Sequence, residues 1–544
     1  MIPARVPRVL RMGPARLTAG LDHTRRIDLP AHRTLHGITE PRTLDELMSY
    51  ANEVDMRGRG GAAFPFARKL RAVADAVRAG GECVVLINGA EGEPASSKDA
   101  MMLTRNPHLV LDGAVLAAEA LGAREVVLAT PGGEVSEASV NAAVAERRAA
   151  NVAGGAESRV PIRVVGIKER FVSGEGGALV NAVNGLEGIP PGRKRRAAQS
   201  GVDGLPTLLS NTETYAQLAL LAEYGPQKYA EIGTAKEPGT ILLTVSGGAA
   251  NGAVMEVPTG VMLADVLDLC EADIGDGVLF GGYHGAWLSA EAVQTAVVSR
   301  EGMKAAGATL GAGIIVPVGS STCSLGEAAR VAAYLGSESA GQCGPCRLGL
   351  PDIGRLMCDL VDGRGSVDAI RRAVRMVERR GACSHPDGTA KFVLSALDAF
   401  ENEIALHLEQ GSCGRPVTGV MPMPEHEKEA EYRLEVDWSR CVGHGLCAHL
   451  LPEFVHLDDY GFPSFRTVPA YMLKEARRVV DMCPALAIRL SSASGDGHGG
   501  PAPKPSGSPL RLVKDGMTKA GTNVPRLSRV GTAQGVSRVG GTAG

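Results

Sequence analysis

Cysteines mark the parts of this sequence that can do chemistry. Cys343 and Cys346 lie three positions apart on a loop rich in glycine and proline, and Cys383 follows one predicted helical hairpin later. Six of the 11 cysteines fall between Cys323 and Cys413. Paired cysteines on such a loop are poor core residues, and clustering of this kind favours a metal centre over disulfides. We expect Cys343, Cys346 and Cys383 to be metal ligands.

A second cysteine group lies near the C-terminus, where Cys441 and Cys447 flank His444, and Cys483 precedes a proline. Three thiolates and one imidazole are a suitable ligand set for zinc. The same spacing, with a Cys-Pro pair far downstream, is also close to that of a bacterial iron–sulfur cluster, in which a cysteine would stand in place of His444. The strands predicted on either side favour the iron–sulfur alternative.

A glycine-rich loop in the N-terminal half could hold a phosphorylated ligand. Gly58, Gly60 and Ala63 satisfy the dinucleotide pattern G-x-G-x-x-G/A, but a helix is predicted at 43–56, where the Rossmann fingerprint needs a strand. Free backbone amides and the positive end of the following helix still suit a phosphate, and Lys69 adds a charge. A flexible surface loop is the alternative.

Polar side chains also follow predicted strands in this half of the chain. The strand at 83–87 runs into Asn88, and a second glycine-rich turn at 171–179 connects a strand to a helix. Asn211 is predicted to cap another helix. Polar residues at the carboxyl ends of strands in α/β proteins commonly meet ligands, although a surface turn is the plain alternative.

A chain of 544 residues is too long for one core, so we expect three or four domains. Strands alternate with helices up to about residue 236, and a helical region begins at a predicted capping box, Ser324 to Glu327. The predicted domains are a basic, poorly ordered N-terminal arm (1–42), an α/β domain (43–236), a small α+β domain (237–320), a helical domain (321–412), a linker (413–430), a compact α+β domain (431–490) and a disordered tail (491–544).

Charge and hydropathy narrow the function classes. The net charge of −3 gives no general attraction to nucleic acid or anionic membranes. No apolar stretch approaches the ~20 residues of a membrane span, and none follows the N-terminal arginines as a signal peptide would require. We expect a cytoplasmic protein without nucleic-acid partners or a transmembrane segment, able to dock at the periphery of a membrane complex.

Taken in order, the motifs from about residue 40 to 410 resemble the flavin-bearing, NADH-oxidising subunit of respiratory complex I and its relatives in NAD-reducing hydrogenases and formate dehydrogenases. The resemblance implies an FMN- and NADH-binding α/β domain, a ubiquitin-like β-grasp middle domain of the soluble-ligand-binding type, and a helical domain with one 4Fe–4S cluster. It further implies that cofactor is bound by Gly58, Arg59, Gly60, Gly61, Phe64, Lys69, Asn88, Glu91, Glu93, Glu175, Asn211 and Thr214.

The sequence departs from this family at several motifs. Ala90 stands where the family has an aspartate, and Gly176 replaces one of two glutamates. Further departures are Phe171 for a tyrosine, Ser210 for an asparagine, and Arg193 and Arg196 for a lysine and an adenine-stacking phenylalanine. The losses concern the NADH pocket more than the flavin pocket.

The cluster loop differs as well, because Ala340 stands at the first of the family's three loop cysteines. Three thiolates can hold a 3Fe–4S centre, or a 4Fe–4S cube with another kind of ligand at the fourth corner. Ser339, Cys323 and Cys358 are the candidates for that corner. A degenerate site without a cluster is the alternative.

The C-terminal domain resembles small ferredoxins that serve bacterial cytochromes P450. The resemblance implies a ferredoxin-like α+β fold and a 3Fe–4S or 4Fe–4S cluster on Cys441, Cys447 and Cys483, with His444 near the vacant corner. An acidic patch that either guides a redox partner or is merely solvated comprises Glu453, Asp458 and Asp459.

Two functions are compatible with these resemblances. In the first, NAD(P)H reduces FMN by hydride transfer, and single electrons then pass through the cluster on Cys343, Cys346 and Cys383 to the ferredoxin centre. An external protein acceptor, such as a cytochrome P450 or another redox subunit, receives them, and no side chain is predicted to act as acid, base or nucleophile. In the second, the NADH pocket is degenerate and the chain is an electron-relay subunit docked to another reductase.

Overall fold

The computed structural model describes residues 7–79, 81–152, 158, 160–192, 196–424, 432–452, 454–465, 467–468 and 473–492. The chain forms two compact units, residues 1–425 and 426–544. Arg193, Glu453 and residues 493–544 of the predicted tail lie outside the described residues. Within the described ranges, no helix combines the length and the apolar character that crossing a bilayer requires.

The N-terminal half of the first unit alternates strands and helices, as predicted. Its elements are β1 (Val9–Arg11), α1 (Leu29–His36), α2 (Leu44–Glu53), α3 (Phe66–Arg78), β2 (Val84–Asn88), α4 (Lys98–Arg105), α5 (Pro107–Leu121), β3 (Glu125–Pro131), α6 (Val135–Val152), β4 (Ile162–Ile167), α7 (Gly176–Val183), β5 (Thr207–Asn211) and α8 (Thr212–Tyr229), with 3-10 turns at Phe171–Gly174 and Val202–Gly204. Four strands form a parallel sheet in the order β4-β3-β2-β5. Helices cover both faces, which explains why β2 is an unbroken apolar run up to its last residue.

Close packing of α5 on α8 fixes the position of the site. A Cβ added to Gly113 of α5 would lie 1.8 Å from the carbonyl oxygen of Tyr215 on α8, so only glycine permits this approach. The first turn of α8 carries Thr214, and Asn211 caps the helix by accepting a hydrogen bond from the Glu213 amide. The predicted Asn211 cap is therefore confirmed.

A mixed six-stranded sheet follows in the chain. Its region contains β6 (Thr240–Val245), β7 (Ala253–Pro258), α9 (Leu263–Leu269), β8 (Gly277–Phe280), β9 (Ala286–Ser289), α10 (Ala290–Thr295), α11 (Arg300–Ala305) and β10 (Ile314–Pro317). The strand order is β1-β7-β6-β10-β8-β9. β7 runs antiparallel to β6, and β10 runs parallel to β6.

The N-terminal segment is not the poorly ordered arm that the basic sequence predicts. β1 pairs in parallel with β7, and Glu256 of β7 accepts hydrogen bonds from the amides of Arg16, Leu17 and Thr18 at 2.8–3.2 Å. The Arg16 guanidinium is buried and donates to the Tyr229 carbonyl oxygen at 2.8 Å. Arginines that look solvated in the sequence thus hold the segment against the folded unit.

The helical region contains α12 (Ser324–Ser337), α13 (Leu350–Val361), α14 (Val367–Val377), α15 (His385–Ala399) and α16 (Glu401–Gln410), with a π-helical turn at Pro345–Gly349. The predicted capping box at its start is wrong. Cys323, not Ser324, is the N-cap, and its Sγ accepts a hydrogen bond from the Gly326 amide at 3.2 Å. Glu327 instead accepts hydrogen bonds from the amides of residues 419–421. Its carboxylate therefore binds the segment that follows α16 and does not cap α12.

The second unit is small and contains both strands and helices. Its elements are β11 (Tyr432–Val436), α17 (Leu446–Leu450), β12 (Val455–Leu457), β13 (Pro463–Phe465), α18 (Leu473–Asp481) and β14 (Ile488–Ser492). β11 pairs antiparallel with β14, and β12 with β13. Ser491 and Ser492 belong to β14, so the predicted tail starts two residues too early.

Candidate cofactor sites

The parallel sheet reverses its strand order between β2 and β5. From β2 the chain proceeds outward through β3 to β4, and β5 then lies on the other side of β2. Asn88 ends β2, Asn211 ends β5, and the two residues are partners in the strand register. Ligands of open parallel sheets bind in the crevice beyond such a switch point. The fold therefore brings these two predicted site residues together at the crevice.

The glycine-rich loop borders this crevice. It connects α2 to α3, which confirms the helix predicted before it and excludes the Rossmann arrangement. The Arg59 amide donates to Thr214 Oγ1 at 2.9 Å, and a Cβ on Gly60 would lie 3.2 Å from the Cβ of Asn211. Gly61 has a φ of 104°, in the region that favours glycine. The loop is thus fixed against the first turn of α8.

The rest of the loop presents hydrogen-bond donors and one ring. Phe64, one of the predicted cofactor-binding residues, has 47% of its surface exposed, and its carbonyl oxygen accepts a hydrogen bond from the Gly58 amide at 3.0 Å. Among the described residues, the amides of Gly60, Gly61 and Ala62 have no acceptor. Such a turn can donate several backbone hydrogen bonds to an anion.

Lys69 lies partly buried in α3 behind this loop. Its Nζ donates to the Leu209 carbonyl oxygen at 3.0 Å and lies 3.9 Å from where a Cβ on Gly58 would be. Burial lowers the pKa of Lys69. Within the described chain its one recorded partner is that carbonyl oxygen and no carboxylate, so this ammonium can accommodate an added anion.

Asn88 connects the end of β2 to the second glycine-rich turn. Its Nδ2 donates to the Gly174 carbonyl oxygen at 3.0 Å, and its Oδ1 accepts from the Ala90 amide at 3.1 Å. Glu175 follows this turn and caps α7, accepting from two amides of its first turn at 2.8 and 2.9 Å. The turn and the end of β2 are therefore held as one piece.

Glu91 is positioned differently from what its predicted role suggests. Its carboxylate caps α4, accepting from the Ser96 hydroxyl at 2.5 Å and from the amides of Asp99 and Ala100 at 3.0 and 2.8 Å. Burial, with the nearby Asp99 carboxylate, raises the pKa of Glu91 to about 7. In this structure Glu91 serves to start α4.

Glu93 has an oxygen left free for a ligand. Its Oε2 accepts from the Tyr283 amide at 2.9 Å, whereas its buried Oε1 has no hydrogen-bond partner in the described part of the chain. Burial raises the pKa of Glu93 to about 8. At neutral pH this acid is therefore mostly protonated and can donate one hydrogen bond.

Sequence reasoning missed a group of buried charges directly behind the glycine-rich loop. The ammonium of Lys98 pairs with Glu213 at 2.6 Å and donates to the Arg59 carbonyl oxygen at 2.7 Å. Asp99 accepts a hydrogen bond from Asn211 Nδ2 at 2.7 Å. The sequence feature that could have indicated these residues is a short run of polar residues at the start of each of the helices α4 and α8. The missed residues are Lys98, Asp99, Thr212 and Glu213.

Three cysteines come together in the helical region, as predicted, and we call Cys343, Cys346 and Cys383 the helical cluster site. Cys343 precedes the π-helical turn, Cys346 lies in it, and Cys383 comes two residues before α15. Burial raises the pKa of Cys346 to about 12, and the thiols of Cys343 and Cys383 contribute to the shift. The thiols of Cys343 and Cys383 therefore lie near enough to Cys346 to act on its charge.

The three candidates for a fourth cluster ligand differ in their distance from the helical cluster site. Ser339 lies beside the site, since its hydroxyl donates to the Cys346 carbonyl oxygen at 3.3 Å. Cys323 precedes the first residue of the 14-residue α12, whose far end leads into the cluster loop, so about 21 Å of helix separates it from the site. Cys358 is exposed on α13, twelve positions or about 18 Å of helix beyond Cys346. Cys323 and Cys358 are thus wrong as candidates, and Ser339 remains.

The helical cluster site lies against the second glycine-rich turn. The Phe171 amide donates to Glu338 Oε2 at 3.1 Å, which ties the turn to the cluster loop. Burial raises the pKa of Cys383, and the nearby Glu175 carboxylate raises it further. The Phe171 ring also stacks on that of Tyr283, with centroids 6.5 Å apart. The crevice and the cysteines are therefore neighbours within the first unit.

In the second unit, four predicted residues share one cavity, which we call the ferredoxin cluster site. Burial raises the pKa of Cys447, and the thiols of Cys441 and Cys483 add to the shift. The Ala487 amide donates a hydrogen bond to Cys483 Sγ at 3.4 Å. The four residues are Cys441, His444, Cys447 and Cys483.

Family models match three parts of the chain. Residues 51–220 match the Nuo51 FMN-binding domain, residues 319–407 match the NADH-ubiquinone oxidoreductase-F iron-sulfur binding region, and residues 434–490 match a 4Fe-4S single cluster domain. An NADH-quinone oxidoreductase subunit of Mycobacterium tuberculosis is 28% identical over 68% of this chain and 86% of that protein. The chain is an NADH dehydrogenase-like oxidoreductase.

Other relatives agree with this identification. The NADP-reducing hydrogenase subunit HndC of Solidesulfovibrio fructosivorans is 26% identical over 78% of this oxidoreductase chain and 87% of its own length. A crystal structure of an NAD+-reducing NiFe-hydrogenase in the H2-reduced state matches with a TM-score of 0.63 and 25% identity, covering 74% of this chain and 68% of that one. The cofactors of the oxidoreductase are FMN, NAD(H) and iron–sulfur clusters whose exact type stays open.

The residues present in the crevice fit FMN. Its phosphate needs cationic and amide donors, which Lys69 and the glycine-rich loop supply. Its ring edge needs polar partners, and the buried Oε1 of Glu93 and Oγ of Ser210 have none among the described residues. Ser210 stands where the resembled family has an asparagine. The substitution therefore still leaves a polar side-chain atom near the end of β5.

Proposed function

We propose that this oxidoreductase passes electrons from NAD(P)H, by way of FMN in the crevice, to the helical cluster site, and then to the ferredoxin cluster site and an external protein acceptor. The contact between the second glycine-rich turn and the cluster loop supports the first part of this route. That contact consists of the Phe171–Glu338 hydrogen bond and the proximity of Glu175 to Cys383. A fold that holds the flavin crevice against the cysteines favours transfer within the chain.

Each part of the crevice would then have a defined task. Lys69 and the amides of the glycine-rich loop bind the phosphate, while Asn88 and Glu93 hold the ring. Phe64, exposed on the loop, offers its face to the nicotinamide. When bound, the flavin supplies the exchange between a two-electron donor and one-electron acceptors.

A second candidate function is an electron relay with a degenerate NADH pocket, docked to another reductase. The departures from the family support it, in particular the loss of the adenine-stacking ring at Arg196 and of an acidic side chain at Ala90. Ala90 is 6% exposed, so it offers neither a carboxylate nor accessible surface. Phe64, Glu93 and Glu175 remain in place and support the first function.

The acceptor is best proposed as another redox subunit. Relatives of this chain are subunits of larger redox complexes by name, whereas nothing among them points to the cytochrome P450 partner inferred from the ferredoxin resemblance. Covalent attachment of the ferredoxin domain replaces an encounter between two proteins with one at high effective concentration. In such an assembly the chain would lie at the periphery of a membrane complex, and the mixed sheet would be its β-grasp domain.

Anaerobic titration with NADH, followed by flavin absorbance and low-temperature EPR, tests the proposal. In the wild type we expect the flavin absorbance to bleach and reduced-cluster signals to appear. In Cys441→Ser the flavin and the helical cluster should still be reduced, while the ferredoxin signal should be lost. Cys358→Ser, which changes an exposed cysteine outside both sites, is the matched control.

The two candidate functions give opposite results. If NADH leaves the flavin and clusters oxidised while dithionite reduces the clusters, NADH is not the donor and the relay function holds. If Cys441→Ser abolishes reduction of every cluster, the order of the proposed route is wrong.

A further inference from the structure

Four potential metal ligands converge in the first unit, away from the helical cluster site. They are Cys323, Glu403, His407 and Cys413, and one ligand atom from each lies within 4.8 Å of those of the other three. Cys323, Glu403 and His407 are buried, with at most 5% of their surfaces exposed. Side chains of this kind are rarely buried together without a common partner.

The local fold explains how the four residues meet. Glu403 and His407 are one turn apart on α16 and therefore share a face of that helix. Gly411, with a φ of 78°, ends the helix and turns the chain so that Cys413 comes back to the same face. Cys323 arrives from the start of α12, where its amide donates to the Pro416 carbonyl oxygen at 2.8 Å.

Hydrogen bonds orient the histidine for metal binding. His407 Nδ1 lies 2.6 Å from the carbonyl oxygen of Val361. A carbonyl can only accept, so Nδ1 carries the proton and the lone pair of Nε2 faces the cluster, 3.3 Å from Cys323 Sγ. Metal-binding histidines are typically held in this way by an acceptor on the other ring nitrogen.

Backbone amides also hold the side chains of Cys323 and Glu403 in position. Cys323 Sγ accepts a hydrogen bond from the Gly326 amide at 3.2 Å at the N-terminal end of α12. Glu403 Oε2 accepts a hydrogen bond from the Leu325 amide at 3.1 Å. The buried Oε1 makes no hydrogen bond of good geometry among the described residues, and the Arg415 guanidinium forms an ion pair with it at 3.1 Å. A metal ion can take this oxygen as a ligand while Arg415 stays beside the carboxylate.

The spacing and the charge of the four ligands indicate which metal ion they suit. Tetrahedral Zn²⁺, with bonds of about 2.0–2.3 Å, places its ligand atoms about 3.3–3.8 Å apart, which small side-chain movements can reach here. Two thiolates and a carboxylate around Zn²⁺ leave one negative charge, and the Arg415 guanidinium lies 3.1 Å from Glu403 Oε1. Sulfur, imidazole and carboxylate together are a zinc-type ligand set.

We propose that Cys323, Glu403, His407 and Cys413 bind one structural Zn²⁺, which displaces the two thiol protons into solvent. All four positions are filled by protein, so the ion has no open site for a substrate. It joins the start of α12 to the chain that leaves α16, across 90 positions of sequence. It thereby fixes the first residues of the segment that leads out of the first unit.

Metal analysis of the full-length protein, purified anaerobically with its clusters, tests the site. We expect about one zinc per chain in the wild type and close to none in His407→Ala and Cys413→Ser, with the iron content unchanged. Cys358→Ser and Cys441→Ser are the controls and should keep their zinc. The second control matters because three cysteines and a histidine at the ferredoxin cluster site could themselves take zinc.

Zinc-edge X-ray absorption on the wild type makes the test independent of how the variants fold. We expect two sulfur ligands at about 2.3 Å and two nitrogen or oxygen ligands at about 2.0–2.2 Å. A wild type without zinc, a Cys323–Cys413 disulfide, or a sulfur count of three would overturn the proposal. Zinc lost in Cys441→Ser but retained in His407→Ala would overturn it as well.

Discussion

Lys69 illustrates how one partly buried charge can define a phosphate site. Its ammonium has only the Leu209 carbonyl oxygen as partner among the described residues, at 3.0 Å, so a bound phosphate would provide its missing counter-charge. Lys69→Met keeps most of the apolar stem but removes this interaction. We expect FMN affinity to fall about 10- to 100-fold, the range of one charge-assisted hydrogen bond.

The measurement is calorimetric titration of deflavinated protein with FMN. Lys304→Met, at an exposed lysine on α11, is the control and should bind FMN as the wild type does. Equal affinity of the wild type and Lys69→Met would show that the phosphate lies elsewhere.

For single residues, the sequence predicts which side chains lie near the site more accurately than it predicts the role of each one. The family resemblance predicts that Glu91 and Glu175 bind cofactor, and the structure shows both carboxylates accepting hydrogen bonds from amides at helix starts. Residue type and position cannot reveal which way a carboxylate points. Lys98 and Glu213 were missed for the opposite reason, because a buried ion pair 115 positions apart looks like two surface charges in a sequence.

Among the elements, α1, α5 and α6 are held together by a buried polar network. His108 of α5 lies 2.8 Å from Glu146 through Nε2, and its Nδ1 accepts from the Arg147 guanidinium at 3.1 Å. Arg147 also pairs with Asp112, whose other oxygen lies 2.7 Å from His32 of α1. Because Arg147 faces Nδ1, the imidazole of His108 is held neutral.

This network predicts acid sensitivity of the helix packing. Burial, with the charge of Arg147, lowers the pKa of His108 to about 4 from its ordinary 6.5. Between these values the unfolded chain binds the proton and the folded chain does not, so stability falls as the pH decreases from 6.5 to 4. The expected slope is at most about 1.4 kcal/mol per pH unit.

Urea unfolding of the wild type and His108→Gln across this pH range measures the effect. The variant should be less stable at neutral pH but should lose less stability on acidification. His23→Gln, at an exposed histidine, should follow the wild-type profile. Parallel profiles for the wild type and His108→Gln would contradict the prediction.

Element prediction succeeded where apolar periodicity is local and failed where contacts are distant. The strand predicted at 83–87 appears as β2, Val84–Asn88, because five consecutive buried positions identify a covered strand. β1 has only three residues, and its partner in β7 lies 245 positions away. The capping box at Ser324 was misassigned because Glu327 is bound by a segment 92 to 94 positions downstream. A short stretch of sequence does not contain the residues that form such distant pairings, so local patterns cannot predict them.

For the molecule as a whole, the N-terminal segment joins two regions that the sequence divides at residue 237. β1 extends the mixed sheet, while α1 packs on the helices of the parallel sheet through His32 and Asp112. Glu256 is fully buried and accepts hydrogen bonds from Arg16, Leu17 and Thr18. A domain border drawn along the chain therefore misses a spatial connection.

Removing residues 1–42 should accordingly destabilise the first unit as a whole. Glu256 would lose most of its donors, and leaving a buried charge without partners costs about 3 kcal/mol or more. Thermal unfolding should show a lower midpoint, and limited proteolysis should become faster in the mixed sheet. Removing residues 493–544 is the comparison and should leave that midpoint unchanged; an unchanged midpoint after the N-terminal deletion would contradict this interpretation.

The pairing of β1 with β7 also sets an order of events during synthesis. Residues 9–11 are synthesised 245 positions before their partners, residues 254–256. At 5–20 residues per second, the nascent strand waits roughly 12–50 s with its backbone donors and acceptors exposed. β1 thus stays unpaired while the 245 positions up to its partner are made, and a chaperone that binds nascent chains would have that interval in which to act.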